Sequence, residues 1–515
     1  MSSNDCIKNS MAIAAAACIS ILLMQDPGVL FYTGIVGVSL LVLTAIISPW
    51  LGLLALFPLA FALRPAPPSV GAQEISFAAL LAVIFIAALI KLLRTCGIRS
   101  VLRLFGIPLL IGAGILGINL AVAMHNHVPM LDWIRGVIPF LFIYALIPVC
   151  ALVSGDESKI RWVGASVGTL IFLTAGYIVF YYFYHDMWQP YWLILTNGEE
   201  VKISQEAALN NVNAMGPMRD RITMLLAQAT DALLPVGMVV GFVVSTLARD
   251  RRITIVGALL AMLCMAAVLI TFTRSMLISA LLVMLLFSLY AFFAHKNLRV
   301  KLSANLATQG VFGVAFIFST GMDQVWLGRL SLLSGAAWKR KGDFNVMSRL
   351  EEYKIAWEMF LSHPVLGNGM GIKHGMRWET SEGVSFTEMV AYIHNWPLYM
   401  LMVGGLLGFL VYSLVIAGPV LYRLTSLRSE SAHLTVVRAA VMTLAVYGLF
   451  FAVFRLISFN LLLAAAWGVV FAHKWSRENS ASSAHAVHSH TASTQTKEKP
   501  VGHEPADQKN VELSV

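Results

Sequence analysis

Residues 253–272, ITIVGALLAMLCMAAVLITF, and residues 275–294, SMLISALLVMLLFSLYAFFA, are two apolar runs with only Thr273 and Arg274 between them. Each is close to the roughly 20 residues that a helix needs to cross the hydrocarbon of a bilayer. A chain in lipid must satisfy its own backbone, as a helix or as a closed barrel. These runs are continuous, with none of the ten-residue alternation of a barrel strand, so they predict a pair of spanning helices.

The pattern repeats along the chain. The spacing predicts about fourteen spans, at roughly 11–25, 28–47, 49–63, 75–94, 104–124, 134–153, 162–184, 231–248, 253–272, 275–294, 305–322, 396–422, 435–454 and 456–473. The third is short, and Ser48-Pro49 before it suggests one broken helix with the second. The first run follows Lys8 and leads straight into more spans, so it reads as an uncleaved first span. The 515 residues are 58% hydrophobic and only 12% charged, with mean hydropathy +0.76. A soluble domain carries about 25% charged residues and could not cover that much apolar surface. The fold class is therefore an all-α polytopic bundle of about 12–14 spans, with one large external loop holding short amphipathic helices.

The formal charge of +9 does not point to nucleic acid, because much of the Lys and Arg lies in short loops where it sets topology. With the N-terminus inside, the clusters at 95–103, 249–252, 295–301 and 423–428 all fall on one side, with Arg64 and Arg135 as exceptions. The same alternation puts 185–230 and 323–395 outside. The domain reading is then spans over 1–322, a loop carrying the chemistry over 323–395, spans over 396–475 and a disordered cytoplasmic tail over 476–515. His485, His488 and His490 in that tail read as solvated residues or as a weak metal-capturing tract. Cys6, Cys18, Cys96, Cys150 and Cys264 are scattered without a CxxC, which argues against a disulfide framework or a zinc site.

Charge near membrane depth is costly and marks candidate function. Arg274 stands in the polar break Thr271–Ser275, where it either binds an anion or snorkels to lipid phosphate. In the outer loop, Val346, Leu350, Tyr353, Trp357 and Phe360 fall on one helix face. Ser348 and Glu351 form a capping box, so this helix is expected to start at Ser348, lie apolar side down on the membrane and stop at His363-Pro364. Arg349 would then occupy the first turn, against the helix dipole, unless an anion is bound there. Gly367, Gly369 and Gly371 alternate, either as a tight turn or as a close backbone approach to phosphate. His394-Asn395-Trp396-Pro397 opens the next span, with Asn395 as its cap and His394 at the membrane mouth as a capping group or a general base. Arg455 raises the same question as Arg274, and Arg219 and Arg221 could add charge for an extended anionic ligand.

Taken together, these residues resemble the bacterial O-antigen ligase and polymerase superfamily. The resemblance covers about 264–412: Arg274 at a hairpin, Arg349 before a helix bearing Trp357, His363-Pro-x-x-Gly-x-Gly369, then His394-Asn395-x-x-Leu398 with Gly405 and Gly408 in the span that follows. It implies an integral-membrane glycosyltransferase in the bacterial inner membrane with its site facing the periplasm. The donor would be a glycan on undecaprenyl pyrophosphate, and the acceptor a glycan or lipid A-core hydroxyl. Catalysis would need neither metal nor cofactor and would invert the anomeric centre. Arg274 and Arg349 would hold the pyrophosphate, and His394 would act on the acceptor. Ligase, polymerase and protein O-glycosylation are not separated. The alternative reading is a transporter or flippase of an anionic lipid-linked saccharide, which would carry polar or helix-breaking residues at the midplane of corresponding halves. A structural subunit with topological charges alone is the third. The long Ser/His-rich tail departs from the family, and the span count exceeds the twelve or so typical of it.

Overall fold

Apolar runs of this length have one low-energy form in lipid, and each of the fourteen turns up as a helix. The computed structural model describes residues 3–25, 28–62, 72–153, 156–184, 232–271, 273–323, 326–327, 344–379, 385–422 and 431–475. The N-terminal half holds α1 (Ser3–Leu23), α2 (Val29–Ile47), α3 (Pro49–Leu59), α4 (Ala72–Val101), α5 (Ile107–His125), α6 (Met130–Leu141), α7 (Leu146–Val153) and α8 (Glu157–Tyr184). After a gap come α9 (Leu233–Leu247), α10 (Arg251–Ile270), α11 (Arg274–Ala294), α12 (Arg299–Ser319) and α13 (Phe344–Ser362). A two-stranded antiparallel hairpin follows, β1 (His374–Glu379) with β2 (Ser385–Val390), His374 facing Val390. The chain closes with α14 (Trp396–Leu421), α15 (Ala432–Tyr447) and α16 (Ile457–Trp475).

Ten helices among the described residues are long and apolar enough to cross a membrane, and Pro49–Ala62, Leu233–Leu247 and Ala432–Tyr447 are shorter apolar helices. The protein is a multi-pass, all-α bundle. Its outer helices show lipid-facing chemistry: Ile47, Leu110 and Val300 are exposed although large and apolar. Water would penalise such a surface at about 25 cal/mol per Å², and hydrocarbon does not. The chain does leave helical geometry at Ser48, but α3 folds back beside α2 rather than continuing it as one broken helix: a Cβ on Gly52 would lie 2.5 Å from that of Ala45.

Near the centre, α9 is buried along nearly its whole length, against α8, α10, α11, α12 and α15. Small residues allow it to approach α10 closely: a Cβ on Gly241 would lie 2.6 Å from the Gly257 carbonyl oxygen. Buried Asn305 of α12 fixes the same region by donating to Phe242 O (3.1 Å), Ser245 Oγ (2.6 Å) and Thr246 Oγ1 (2.9 Å).

Three expectations for the outer loop need correction or extension. Helix α13 is already helical at Phe344, not first at Ser348, so Arg349 lies beyond the first turn and the argument from a free helix N-terminus does not apply to it. The face that packs on the protein takes only part of the apolar stripe. Glu352 and Ala356 are buried, while Leu350, Trp357 and Leu361 are 48%, 47% and 58% exposed. Tyr353, from the same stripe, packs inward, and the inward face is built around a carboxylate. The hairpin β1–β2 has no counterpart in the sequence expectations, although Ser385-Phe-Thr-Glu-Met-Val390 has the aromatic and β-branched alternation of a strand.

Candidate functional site

Helix α13 places one charged residue where a helix normally places Leu. Glu352 is fully buried, with Ala356 one turn on, also fully buried. A lone buried carboxylate is costly and requires a donor. His394 supplies it: its Nδ1 lies 3.1 Å from Oε1 and 3.0 Å from Oε2 of Glu352, and its backbone N–H donates to Oε2 at 3.2 Å. The next residue of α13 completes the grip, since the Tyr353 hydroxyl donates to the His394 carbonyl at 3.1 Å. Two successive residues of one helix therefore hold the backbone on both sides and the ring of His394. The ring is also wedged edge-on between Tyr392 (5.2 Å) and Phe451 (5.3 Å).

The geometry sets the tautomer. A carboxylate only accepts, so Nδ1 carries the proton and the neutral ring keeps its lone pair on Nε2. Nε2 has no partner among the described residues, and the His394 side chain retains 16% of its surface. The arrangement can accept a proton from a hydroxyl brought to that edge.

Asn395 is the N-cap of α14, its Oδ1 accepting from Leu398 N at 3.0 Å. Its Nδ2 also donates to Leu449 O at 3.1 Å, and Trp396 donates from N to Gly448 O (2.9 Å) and from Nε1 to Ala445 O (3.2 Å). The mouth of α14 is thereby fastened to the turn after α15. On the other flank, His374 Nε2 donates to Tyr392 O at 3.0 Å, tying the β hairpin to the residues just before His394.

The alternating glycines form a turn rather than a phosphate cradle. Gly367, Gly369 and Gly371 all have positive φ, of 71°, 89° and 84°. Their neighbourhood spends its N–H groups on protein: Asn368 N and Gly369 N donate to Met402 O and Val403 O, both at 2.9 Å, and Met370 N donates to Asn119 Oδ1 at 2.9 Å. The carbonyl partners lie where α14 is broken. Gly405 has φ 59° inside the helix. There Leu406 N and Leu407 N donate to Pro364 O (2.8 Å) and Val365 O (3.2 Å) instead of to their own helix. A non-helical backbone at membrane depth is tolerated only when other protein satisfies it, and residues 364–369 do so here. Asn119 of α5 bridges the same seam, donating to Val403 O at 2.8 Å and accepting from Trp133 Nε1 at 3.1 Å.

Of the predicted cations, Arg349 is brought to this assembly. It stands one turn before Tyr353, and its charge partly offsets the burial that pushes the Tyr353 hydroxyl above its ordinary pKa. Arg274 is part-buried at the first position of α11, after the cap Thr273. Helix α11 packs on α15, whose C-terminal turn meets Trp396. The Trp396–Gly448 hydrogen bond places His394 beside the C-terminal end of α15. Arg455 lies nearer to His394 than the sequence suggests: its guanidinium is 5.7 Å from the ring of Tyr392, which itself packs on His394. Arg219, Arg221, the loop 185–230 and the tail from 476 fall outside the described residues.

Glu352 is the functional candidate that sequence reasoning misses. The signal is present: Glu352, Ala356 and Met359 follow helical spacing and define a second face, but only Glu351 takes a role in the sequence pattern, as a cap.

Residues 257–413 match the family model described as O-antigen ligase. No curated protein matches the chain.

Proposed function

We infer the activity of this chain from its similarity, over residues 257–413, to the O-antigen ligase family. Members of that class transfer glycans within membranes, from a lipid-linked donor to an acceptor. The finer reading is that this protein moves a glycan from undecaprenyl pyrophosphate to a hydroxyl of a glycan or of lipid A-core, at the periplasmic face of the bacterial inner membrane. The observation that carries it is the buried Glu352 holding Nδ1 of His394, with Nε2 directed away from that carboxylate.

The step follows from those groups. The acceptor hydroxyl approaches Nε2 of His394, which takes its proton as the new bond to the anomeric carbon forms. Glu352 stays ionised and stabilises the imidazolium that results. The bond from the anomeric carbon to the phosphate oxygen breaks on the opposite face, so configuration inverts. The leaving group is the lipid pyrophosphate. Arg349 and Arg274 are the cations available to offset the charge that develops on it. With two guanidiniums in that role, the reaction needs no divalent ion. The transporter reading gains little from the broken helix α14, because the freed backbone of the break is hydrogen-bonded to loop residues 364–369.

Reconstitution in liposomes with an undecaprenyl-pyrophosphate glycan and candidate acceptors tests this reading, with and without chelator. Product is expected in both arms. His394→Ala and Arg349→Ala should each lower turnover by about 100-fold or more at normal membrane insertion, and Arg274→Lys should also impair it, since lysine lacks the bidentate fork. Full activity in His394→Ala would refute the site, and chelator-sensitive transfer would refute the metal-free step.

A further inference from the structure

Arg455 closes a short turn, Ala452–Arg455, between α15 and α16. The turn is rigid, because fully buried Asn460 donates from Nδ2 to Phe454 O (2.8 Å) and Leu456 O (3.1 Å), on either side of the arginine. The guanidinium lies between two aromatic faces, 5.7 Å from the ring of Tyr392 and 5.9 Å from that of Tyr399. Its Nε is buried without a hydrogen-bond partner, and no carboxylate pairs with it among the described residues. The nearest buried acid described at the site, Glu352, is already committed to His394.

A second group beside it is in the same position. Tyr399 is fully buried, and its hydroxyl has no partner among the described residues. A buried charged donor left unpaired is costly, and native proteins keep few of them. Cation–π contact with two tyrosines recovers part of that cost and orients the guanidinium, but offers nothing to its N–H groups. An oxyanion would satisfy Arg455 and give the Tyr399 hydroxyl an acceptor, and it would sit one aromatic ring away from His394.

We propose that Arg455, with the Tyr399 hydroxyl, binds a phosphate or carboxylate oxyanion of a substrate beside His394, as a third anion-holding position distinct from Arg274 and Arg349. This rests on the glycan-transfer reading for the identity of the substrates. Either the donor's diphosphate or an anionic group on the acceptor has the required chemistry, and the two are separable.

The test uses the full chain in liposomes, as wild type, Arg455→Gln, Arg455→Lys and Tyr399→Phe. KM is measured for donor and acceptor separately, and binding of glycan-free undecaprenyl pyrophosphate is followed by tryptophan fluorescence. Arg455→Gln is expected to weaken one substrate by about 10- to 100-fold, with Arg455→Lys intermediate and Tyr399→Phe weakened in the same direction. A raised donor KM with weaker lipid binding assigns the oxyanion to the donor. A raised acceptor KM with unchanged lipid binding assigns it to the acceptor. Unchanged KM values and unchanged lipid binding in folded Arg455→Gln overturn the proposal. If Arg455→Gln does not fold, the same readings on Arg455→Lys and Tyr399→Phe decide. Wild type that binds the lipid through Arg455 but forms no product refutes the transfer reading and leaves this site standing. Transfer that is indifferent to Arg455 does the reverse.

Discussion

Replacing Glu352 by Gln changes one oxygen into NH2 at constant shape, and the structure makes the consequence specific. Both carboxylate oxygens lie 3.0–3.1 Å from Nδ1 of His394. A carboxylate can only accept there, whereas an amide can turn its NH2 toward Nδ1 and donate. The ring then shifts its proton to Nε2, the atom proposed to accept from the hydroxyl. Where a buried acid orients a catalytic histidine, this exchange costs about 1,000- to 10,000-fold in the chemical step, or about 4–5.5 kcal/mol at 1.36 kcal/mol per tenfold. The fold should change little, by about 1–2 kcal/mol, because one hydrogen bond is exchanged for another. Glu352→Asp keeps the charge but withdraws it by about one methylene, and a displacement of about 1 Å costs roughly 100-fold. The assay is single-turnover glycan transfer in proteoliposomes, with melting in detergent measured on the same preparations. The expected order is wild type, then Asp, then Gln, with melting nearly constant. A Gln variant within about threefold of wild type would refute the tautomer argument. A Gln variant whose activity falls only in step with its melting temperature would make Glu352 a packing residue.

Two further outcomes follow. Gly405→Ala puts a side chain at φ 59°, against the carbonyl of Val365, whose oxygen is already bonded to Leu407 N. The left-handed backbone alone costs about 1–2 kcal/mol, so melting should fall sharply, while Gly404→Ala, which meets nothing within 4 Å, should be tolerated. Equal melting of the two variants would refute the stitched break. Tyr353→Phe should lower turnover by about three- to tenfold through loss of one hydrogen bond to the His394 carbonyl. Burial raises the Tyr353 pKa above its ordinary value of about 10. The folded state therefore holds this proton more tightly, and the contribution is intact below pH about 10 and lost as pH rises through the raised value. The shape of the pH–rate profile below 10 should be the same in wild type and Tyr353→Phe, and a new ionisation near neutrality in the variant would count against the assignment.

The bundle is legible because lipid leaves the backbone few options: twenty apolar residues such as 275–294 must be a helix. Asn395 is legible as a cap and His363-Pro364 as a stop for the same local reasons, and α13 does end at Ser362. What escapes is decided at long range. Glu352 and His394 are 42 positions apart, and no periodicity says that a carboxylate will turn inward toward a particular histidine. The start of α13 is misplaced by sequence because a Ser-x-x-Glu pattern is only a local preference, and the preceding residues continue the helix back to Phe344. The strands of the hairpin are short and lie in a polar loop, where alternation over six residues is a weak signal. Arg455 is visible as a charge between spans, but its two tyrosine neighbours come from 392 and 399, beyond any sequence window.

The interleaving of residues 364–369 with the break at Gly404-Gly405 bears on how variants of this protein could be built. Loop and span exchange main-chain hydrogen bonds in both directions, so neither is complete alone. A chimera that swaps the outer segment to alter acceptor preference, with its junction placed at His394, would separate each donor from its acceptor. The transferable cassette is the segment running from α13 through Leu407 as one piece, together with a compatible Asn119 in the recipient to receive it.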